Sequence, residues 1–239
     1  MRRGTSAILV KLLEKCSQSG DMAIQSTAET LFQTAYESRY TWDENFPGYA
    51  ANVQLLQENE VYAGKIRIDP SLNIQVTEVA DKQIEAGIDI QLQEIVTRCQ
   101  RSNFQTTYGQ YEFSLDETVE TDTVKVFVKS ETTDSCYNIH NQKIYQEIRV
   151  MGRMALEINS GEFLDTDSGY LPCVYHVVFR NSQTSDVNSI LRFTDTYQKF
   201  GGYYILTKQV VAEYENGKIE TPQSITEFVY SNIQLLTTD

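Results

Sequence analysis

From about residue 48 to the end, this chain repeats its apolar residues with a period of two, and that pattern limits the folds open to it more than any other feature. The stretches 48–57, 61–69, 72–79, 123–129, 143–150, 154–159, 173–179, 190–197, 203–214 and 224–235 are rich in Val, Ile, Tyr, Phe and Thr. Such residues suit a pleated surface with one buried side, so each stretch is expected to be a strand. The breaks between them are short and carry residues that accept positive φ: Glu58-Asn59, Gly152, Gly201-Gly202 and Asn216-Gly217. Strands joined by such turns pair antiparallel with their neighbours. Right-handed twist accumulates across about ten strands, so a meander of that size curls, splits or closes. The expected fold class is α+β, mainly antiparallel β: a curled meander sheet, or half-open β-barrel, with two packing helices. A closed barrel and a two-sheet sandwich fit the same pattern.

Two segments depart from the two-residue period. Ser26 and Glu29 have capping-box spacing ahead of Leu31, Phe32, Ala35, Tyr36 and Tyr40, whose intervals of three and four put one apolar stripe on a helix ending near residues 39–41. Asp81 is a suitable N-cap for a second helix, on which Ile84, Ile88, Leu92, Ile95, Val96 and Cys99 share a face. Each helix needs an apolar surface to cover, and the inside of a curled sheet provides one. No repeat, low-complexity stretch or Pro-rich linker marks a domain boundary, so residues 26–239 are expected to form a single β-rich domain behind an N-terminal arm or short amphipathic helix over 1–25.

Composition narrows the function classes. There are 20 Lys and Arg against 33 Asp and Glu, a net charge of −13, and such a surface repels phosphate backbones; no nucleic-acid partner is expected. No stretch approaches the ~20 apolar residues of a membrane-spanning helix. Residues 1–13 place two arginines before an apolar run, but Lys11 interrupts it and no small-residue cleavage site follows, which argues against an export signal. The four cysteines, Cys16, Cys99, Cys136 and Cys173, are widely spaced, as in a reduced protein without a disulfide framework.

The stretch from Tyr36 through Arg39, Trp42 and Phe46 to Tyr49 (YESRYTWDENFPGY) resembles a signature of an uncharacterised family from cyanobacteria and plastids, domain of unknown function 3386. The resemblance continues through Val61 to Ile68, at Asp195-Thr196-Tyr197, and from Gly202 to Thr207, and covers most of the chain from about residue 26. It implies an oxygenic phototroph and a cytoplasmic or stromal location, and it implies no activity. The layout of a helix, a long meander and a second helix after three strands also looks like the half-barrel of bacterial lipoprotein carriers, a likeness of layout without a motif.

Candidate sites are few. The loop from Arg39 to Tyr49 gathers the single Trp, two Tyr, a Phe and a Pro-Gly turn where helix becomes strand. Large rings with a polar edge suit a ligand mouth or a partner surface, and Arg39 is placed to stack on them or to meet an anionic head group. We take Tyr36, Arg39, Tyr40, Trp42, Phe46 and Tyr49 as the ligand- or partner-binding set, beside the plainer reading that these rings pin the helix to the first strand. Asp165-Thr166-Asp167-Ser168-Gly169 has the opening of a calcium loop but lacks the later oxygen ligands, so a hairpin turn is expected there. His140 and His176 are the only histidines, and neither lies in a spacing that seeds a zinc site. Asp116, Glu117, Glu120 and Asp122 flank an expected turn as solvated carboxylates. Phosphate-cradling, nucleophile-elbow and zincin motifs are all missing, so no catalytic residue, metal or cofactor is expected. The expected partner is an apolar small molecule such as a lipid, pigment or isoprenoid, or else a photosynthetic protein complex to which the protein docks. An enzyme of unrecognised type is the third possibility.

Overall fold

The structure is a computed structural model that describes residues 22–116, 123–215 and 219–237, without the side chains of 22–26. In chain order its elements are α1 (Met22–Glu37), β1 (Tyr49–Gln57), β2 (Glu60–Ile68), β3 (Ile74–Thr77), α2 (Lys82–Cys99), α3 (Phe104–Tyr108), β4 (Glu112–Leu115), β5 (Val124–Lys129), β6 (Asp134–His140), β7 (Lys143–Met151), β8 (Met154–Thr166), β9 (Gly169–Asn181), β10 (Val187–Phe200), β11 (Tyr203–Glu215) and β12 (Ser224–Leu235). The strands form one sheet in the order β3-β2-β1-β12-β11-β10-β9-β8-β7-β6-β5-β4. Except where β12 joins β1, every neighbour in the sheet is a neighbour in sequence. The edge strands β3 and β4 do not pair with each other, so the sheet is unclosed. The expected α+β class and antiparallel meander are thus present, with twelve strands in place of about ten and a short third helix among the described residues.

The hairpin chemistry agrees with the residues that supply it. Glu58 and Asn59 have φ of 51° and 67°, and Gly152 and Gly201 have 59° and 57°. Primed turns need such values because their twist matches that of the flanking strands. Asn141 and Gln142, at 48° and 59°, make a further turn of this kind between β6 and β7. Residues 167–168 form the turn between β8 and β9. Asn216-Gly217, residues 1–21, and Glu117, Glu120 and Asp122 lie outside the described residues.

The contacts gather into two compact units. The first comprises Met1–Arg39, Ser102–Leu191 and Tyr214–Thr221. Here α1 packs on β4, β6 and β7. Ala28, Phe32 and Ala35, all without exposed surface, meet Phe104, Phe113, Val126, Val128, Tyr137 and Ile139. Phe32 is the hub, with ring centroids of Tyr137, Tyr108, Phe113 and Phe104 at 4.6, 5.1, 5.7 and 6.0 Å. Full burial of such a ring contributes roughly 2–3 kcal/mol. Phe32, Ala35 and Tyr36 of the expected stripe lie on α1, but Tyr40 lies beyond its end at Glu37 and belongs to the second unit, and Ser26, expected ahead of the helix, lies within it.

The second unit comprises Tyr40–Arg101, Arg192–Glu213 and Pro222–Asp239. Along β1 burial alternates, with Tyr49, Ala51, Val53 and Leu55 inside. Their cross-strand neighbours on that face include Ile66, Ile68, Phe228 and Tyr230. Helix α2 lies beside β3 and buries Ile88, Leu92, Ile95, Val96 and Cys99, the face expected from its spacing. Asp81 caps it, accepting from the N–H groups of Gln83 and Ile84 at 2.7 and 3.1 Å.

Candidate functional site

The six residues singled out in the sequence fall into two groups. Tyr40, Trp42, Phe46 and Tyr49 belong to the second unit and are all buried. Trp42 stacks on Phe46 with centroids 4.2 Å apart, Phe46 meets Tyr203 edge-on at 5.0 Å, and Tyr49 meets Trp42 at 6.3 Å. Their polar edges are also engaged. Trp42 donates from Nε1 to the Tyr204 carbonyl at 3.3 Å, and the Tyr40 hydroxyl accepts from the Tyr204 N–H at 2.8 Å. The Trp42 backbone N–H donates to the Cys99 carbonyl at 2.8 Å, satisfying an orphan acceptor at the end of α2. Burial pushes the Tyr40 hydroxyl up to about 12 and that of Tyr49 well above its ordinary value. These four rings pin the loop in place, the plainer of the two readings, and they present no open ring face to a ligand.

Tyr36 and Arg39 belong to the first unit and are half-buried. The Arg39 guanidinium lies over the Tyr36 ring, 3.8 Å from its centroid, and Nε donates to the Tyr36 carbonyl at 3.0 Å. The end of α1 is fixed here by β9, since Tyr170 N–H donates to the Ser38 carbonyl at 3.0 Å. The Tyr170 hydroxyl accepts from the Ile144 N–H at 3.0 Å and donates to the Ala35 carbonyl at 3.4 Å. No carboxylate among the described residues forms an ion pair with Arg39. Tyr36 shares a hydrogen bond with Ser102 and leads through Tyr108, at 5.1 Å, to Tyr111 at a further 5.3 Å.

The registers of β4 to β9 show what this rim borders. Val126, Tyr137, Glu147, Ile158 and Val177 form one cross-strand row, and Val128, Ser135, Arg149, Leu156 and Phe179 the next. Helix α1 covers the β4–β6 end of this face, where Val126, Val128 and Tyr137 are fully buried. On β8 and β9 the same face continues as Leu156, Ile158, Val177 and Phe179, all only half-buried. The opposite face of these strands carries a polar ladder. Asn138 donates to Gln146 at 2.7 Å, Gln146 donates to Asn159 at 2.7 Å, Asn159 to Glu157 at 3.0 Å, and Arg180 to Glu157 at 3.2 Å. That opposite face also buries Phe127, Cys136, Ala155 and Val178, while the first face continues as half-buried apolar residues past the helix that covers its first part.

An ion pair sits where the covered and uncovered parts meet. Glu147 accepts from the Tyr137 hydroxyl at 3.1 Å and pairs with Arg149. Burial opposes the Arg149 charge, but the Glu147 carboxylate together with Tyr137 and Tyr108 more than offsets it, so the guanidinium pKa is raised. Tyr137 and Tyr108 are also held above the ordinary tyrosine value, each chiefly by burial. Glu147 and Arg149 share cross-strand rows with Ile158 and Leu156, and Arg39 lies at the Tyr170 end of β9. Nothing in this rim pairs a nucleophile with a base, and no group of three His, Cys, Asp or Glu is placed for a metal ion among the described residues. The β8–β9 strip was missed in the sequence reading because β8 and β9 run longer than expected and alternate on both faces.

The chain belongs to the family described as "Protein of unknown function (DUF3386)", whose model matches residues 23–236. No curated protein matches it. Among solved structures it is similar to a DUF1329 family protein from Desulfovibrio piger, at 8% identity over 89% of this chain and 93% of that one, with a TM-score of 0.27. It is also similar to a chain of the Pseudomonas aeruginosa MucA/MucB complex, at 6% identity over 89% and 100%, with a TM-score of 0.24. Likeness at this level carries no functional implication.

Proposed function

We propose that this protein is a non-enzymatic binding module that holds an apolar small molecule, of lipid or isoprenoid type, against the strip of Leu156, Ile158, Val177 and Phe179. The observation that carries this reading is the half-exposed continuation of the apolar core beyond α1, in the rows that Val126 and Val128 begin under the helix. Apolar surface left in contact with water is costly, at about 25 cal/mol per Å², and an apolar guest removes that cost. Tyr36, Tyr108 and Arg39 stand at the rim, where a guest's polar or anionic head would meet a guanidinium that has no described carboxylate partner. Tyr40, Trp42, Phe46 and Tyr49 take a packing role in this reading.

The test is titration of the purified full chain with a fluorescent fatty acid, alongside extraction of the same preparation with organic solvent. Saturable binding near one equivalent is expected, displaced by unlabelled fatty acid or isoprenoid alcohol and lost in Ile158→Asp while the circular-dichroism spectrum is unchanged. If no apolar probe saturates and the extract is empty, or if Ile158→Asp binds like the parent chain, the proposal fails.

A further inference from the structure

A second constellation lies wholly within the other unit, and neither the family nor the binding strip accounts for it. The Asp195 side chain on β10 has no exposed surface and accepts hydrogen bonds from Arg98, Tyr197 and Gln209. Arg98 Nη1, from the last turn of α2, donates to Oδ2 at 2.9 Å, the Tyr197 hydroxyl donates to Oδ2 at 3.2 Å, and Gln209 Nε2 on β11 donates to Oδ1 at 2.8 Å. Together these neutralise a carboxylate that would otherwise be very costly to bury.

The Gln209 amide is oriented by that contact, because turning it over would put its carbonyl oxygen against the carboxylate. Its Oε1 therefore points away from Asp195 and, though fully buried, meets no donor. The Tyr230 hydroxyl on β12 is likewise buried without a partner, on a residue only 4% exposed. Gln209 lies opposite Phe228, so Tyr230, two residues further along β12, projects from the same face as the diagonal neighbour of Gln209. Long side chains reach one another across such a diagonal. Buried polar atoms in folded proteins are nearly always satisfied, and two orphans on one face indicate a shared partner.

We propose that Gln209 Oε1 and the Tyr230 hydroxyl together hold one small neutral hydroxyl-type guest, which donates its O–H to Gln209 and accepts from Tyr230. The neighbouring charges select for neutrality: the Arg98 guanidinium disfavours a cation, while the Asp195 carboxylate and the Gln209 carbonyl disfavour an anion. A resident water and the hydroxyl of a small alcohol share this chemistry. The burial that holds the Tyr230 pKa up, with the Asp195 charge adding to it, is consistent with an enclosed site near that carboxylate.

Tyr230→Phe deletes one orphan and nothing else, and so separates the two cases. With a guest in place the variant loses the hydrogen bond between Tyr230 and the guest, and its melting temperature falls by about 2–4 °C. Without a guest, removing an unsatisfied buried hydroxyl leaves the melting temperature unchanged or raises it, and the proposal is overturned. Because one guest links both groups, Tyr230→Phe combined with Gln209→Met should lose less than the sum of the single variants; strict additivity would overturn the shared guest. A high-resolution crystal structure of the full chain gives the independent reading: density within hydrogen-bonding distance of both atoms supports the site, and an empty gap refutes it. Mass spectrometry of an extract then distinguishes the sources. A stoichiometric small alcohol indicates a ligand, and a clean extract from a preparation with occupied density indicates water.

Discussion

Arg98 Nη1 lies 2.9 Å from Asp195 Oδ2, and the carboxylate that it meets has no contact with solvent. The arginine is 22% exposed and retains some hydration, so the two partners are unequal. Removing Arg98 takes the guanidinium from a carboxylate with no exposed surface, whereas removing the charge of Asp195 leaves a guanidinium that still reaches water. Arg98→Met should therefore lose about 3 kcal/mol in urea unfolding, and Asp195→Asn clearly less. Equal losses would show that the burial asymmetry does not govern this pair.

The buried tyrosines make the fold sensitive to alkali. Tyr40 and Tyr170 are pushed up to about 12, mainly by burial, against about 10 in an unfolded chain. The folded state therefore keeps protons that the unfolded state releases. The associated stability is fully present below pH 10 and is lost as pH rises from 10 through 12. The urea midpoint should be flat up to about pH 10 and fall above it, with tyrosinate absorbance rising in step with unfolding. In Tyr170→Phe the fall should be shallower, while the unfolding free energy at neutral pH should drop by about 1–2 kcal/mol because the Ile144 N–H loses its acceptor.

Much of this fold could be read from the sequence because period and turn chemistry agree. The face of α2 and its Asp81 cap, and the turns at Glu58-Asn59, Gly152 and Gly201, all follow from local rules. Strand β6 did not, because Asp, Ser, Cys and Asn are poor strand signals, and a bulge between Asn138 and Ile139 breaks the alternation. Strand β4 and helix α3 are only four and five residues long, too short for a period to show. Ser26 and Glu29 fall within α1 because a capping-box spacing matches inside a helix as well as at its end. At the candidate site, aromatic residues pointed to the right loop but could not reveal which rings are buried. That depends on Tyr203, Tyr204 and Cys99, which lie far away in sequence. Asp195 and Tyr197 lie in a stretch that carries the family resemblance, but their link to Gln209 and Tyr230 has no local signal, since Asp195, Gln209 and Tyr230 sit on three separate strands.

Gly48 and Gly152 provide a matched pair, since both have positive φ, 78° and 59°. A Cβ at Gly48 would stand 2.3 Å from the Ile68 carbonyl oxygen, a backbone atom that cannot move aside, whereas at Gly152 it would meet nothing within 4 Å. Gly152→Ala should therefore cost only the left-handed backbone penalty, about 1–2 kcal/mol. Gly48→Ala should cost at least about 3 kcal/mol, because steric conflict adds to that penalty. Thermal unfolding of the two variants measures the difference, and similar losses would show that β2 yields at Ile68.

Arg39 tests whether the rim of the binding strip selects a head group. Its guanidinium is held over Tyr36 by a contact that leaves its charge without a carboxylate partner among the described residues. A half-exposed charge pair contributes up to about 1 kcal/mol, which corresponds to roughly fivefold in affinity. Arg39→Gln should thus weaken binding of a fatty acid about fivefold while leaving the corresponding fatty alcohol unaffected, and added salt should weaken the parent protein toward the variant. Competition against the same fluorescent probe reads both affinities. If acid and alcohol weaken equally, Arg39 acts by holding the end of α1 in place, and the head group is recognised elsewhere or not at all.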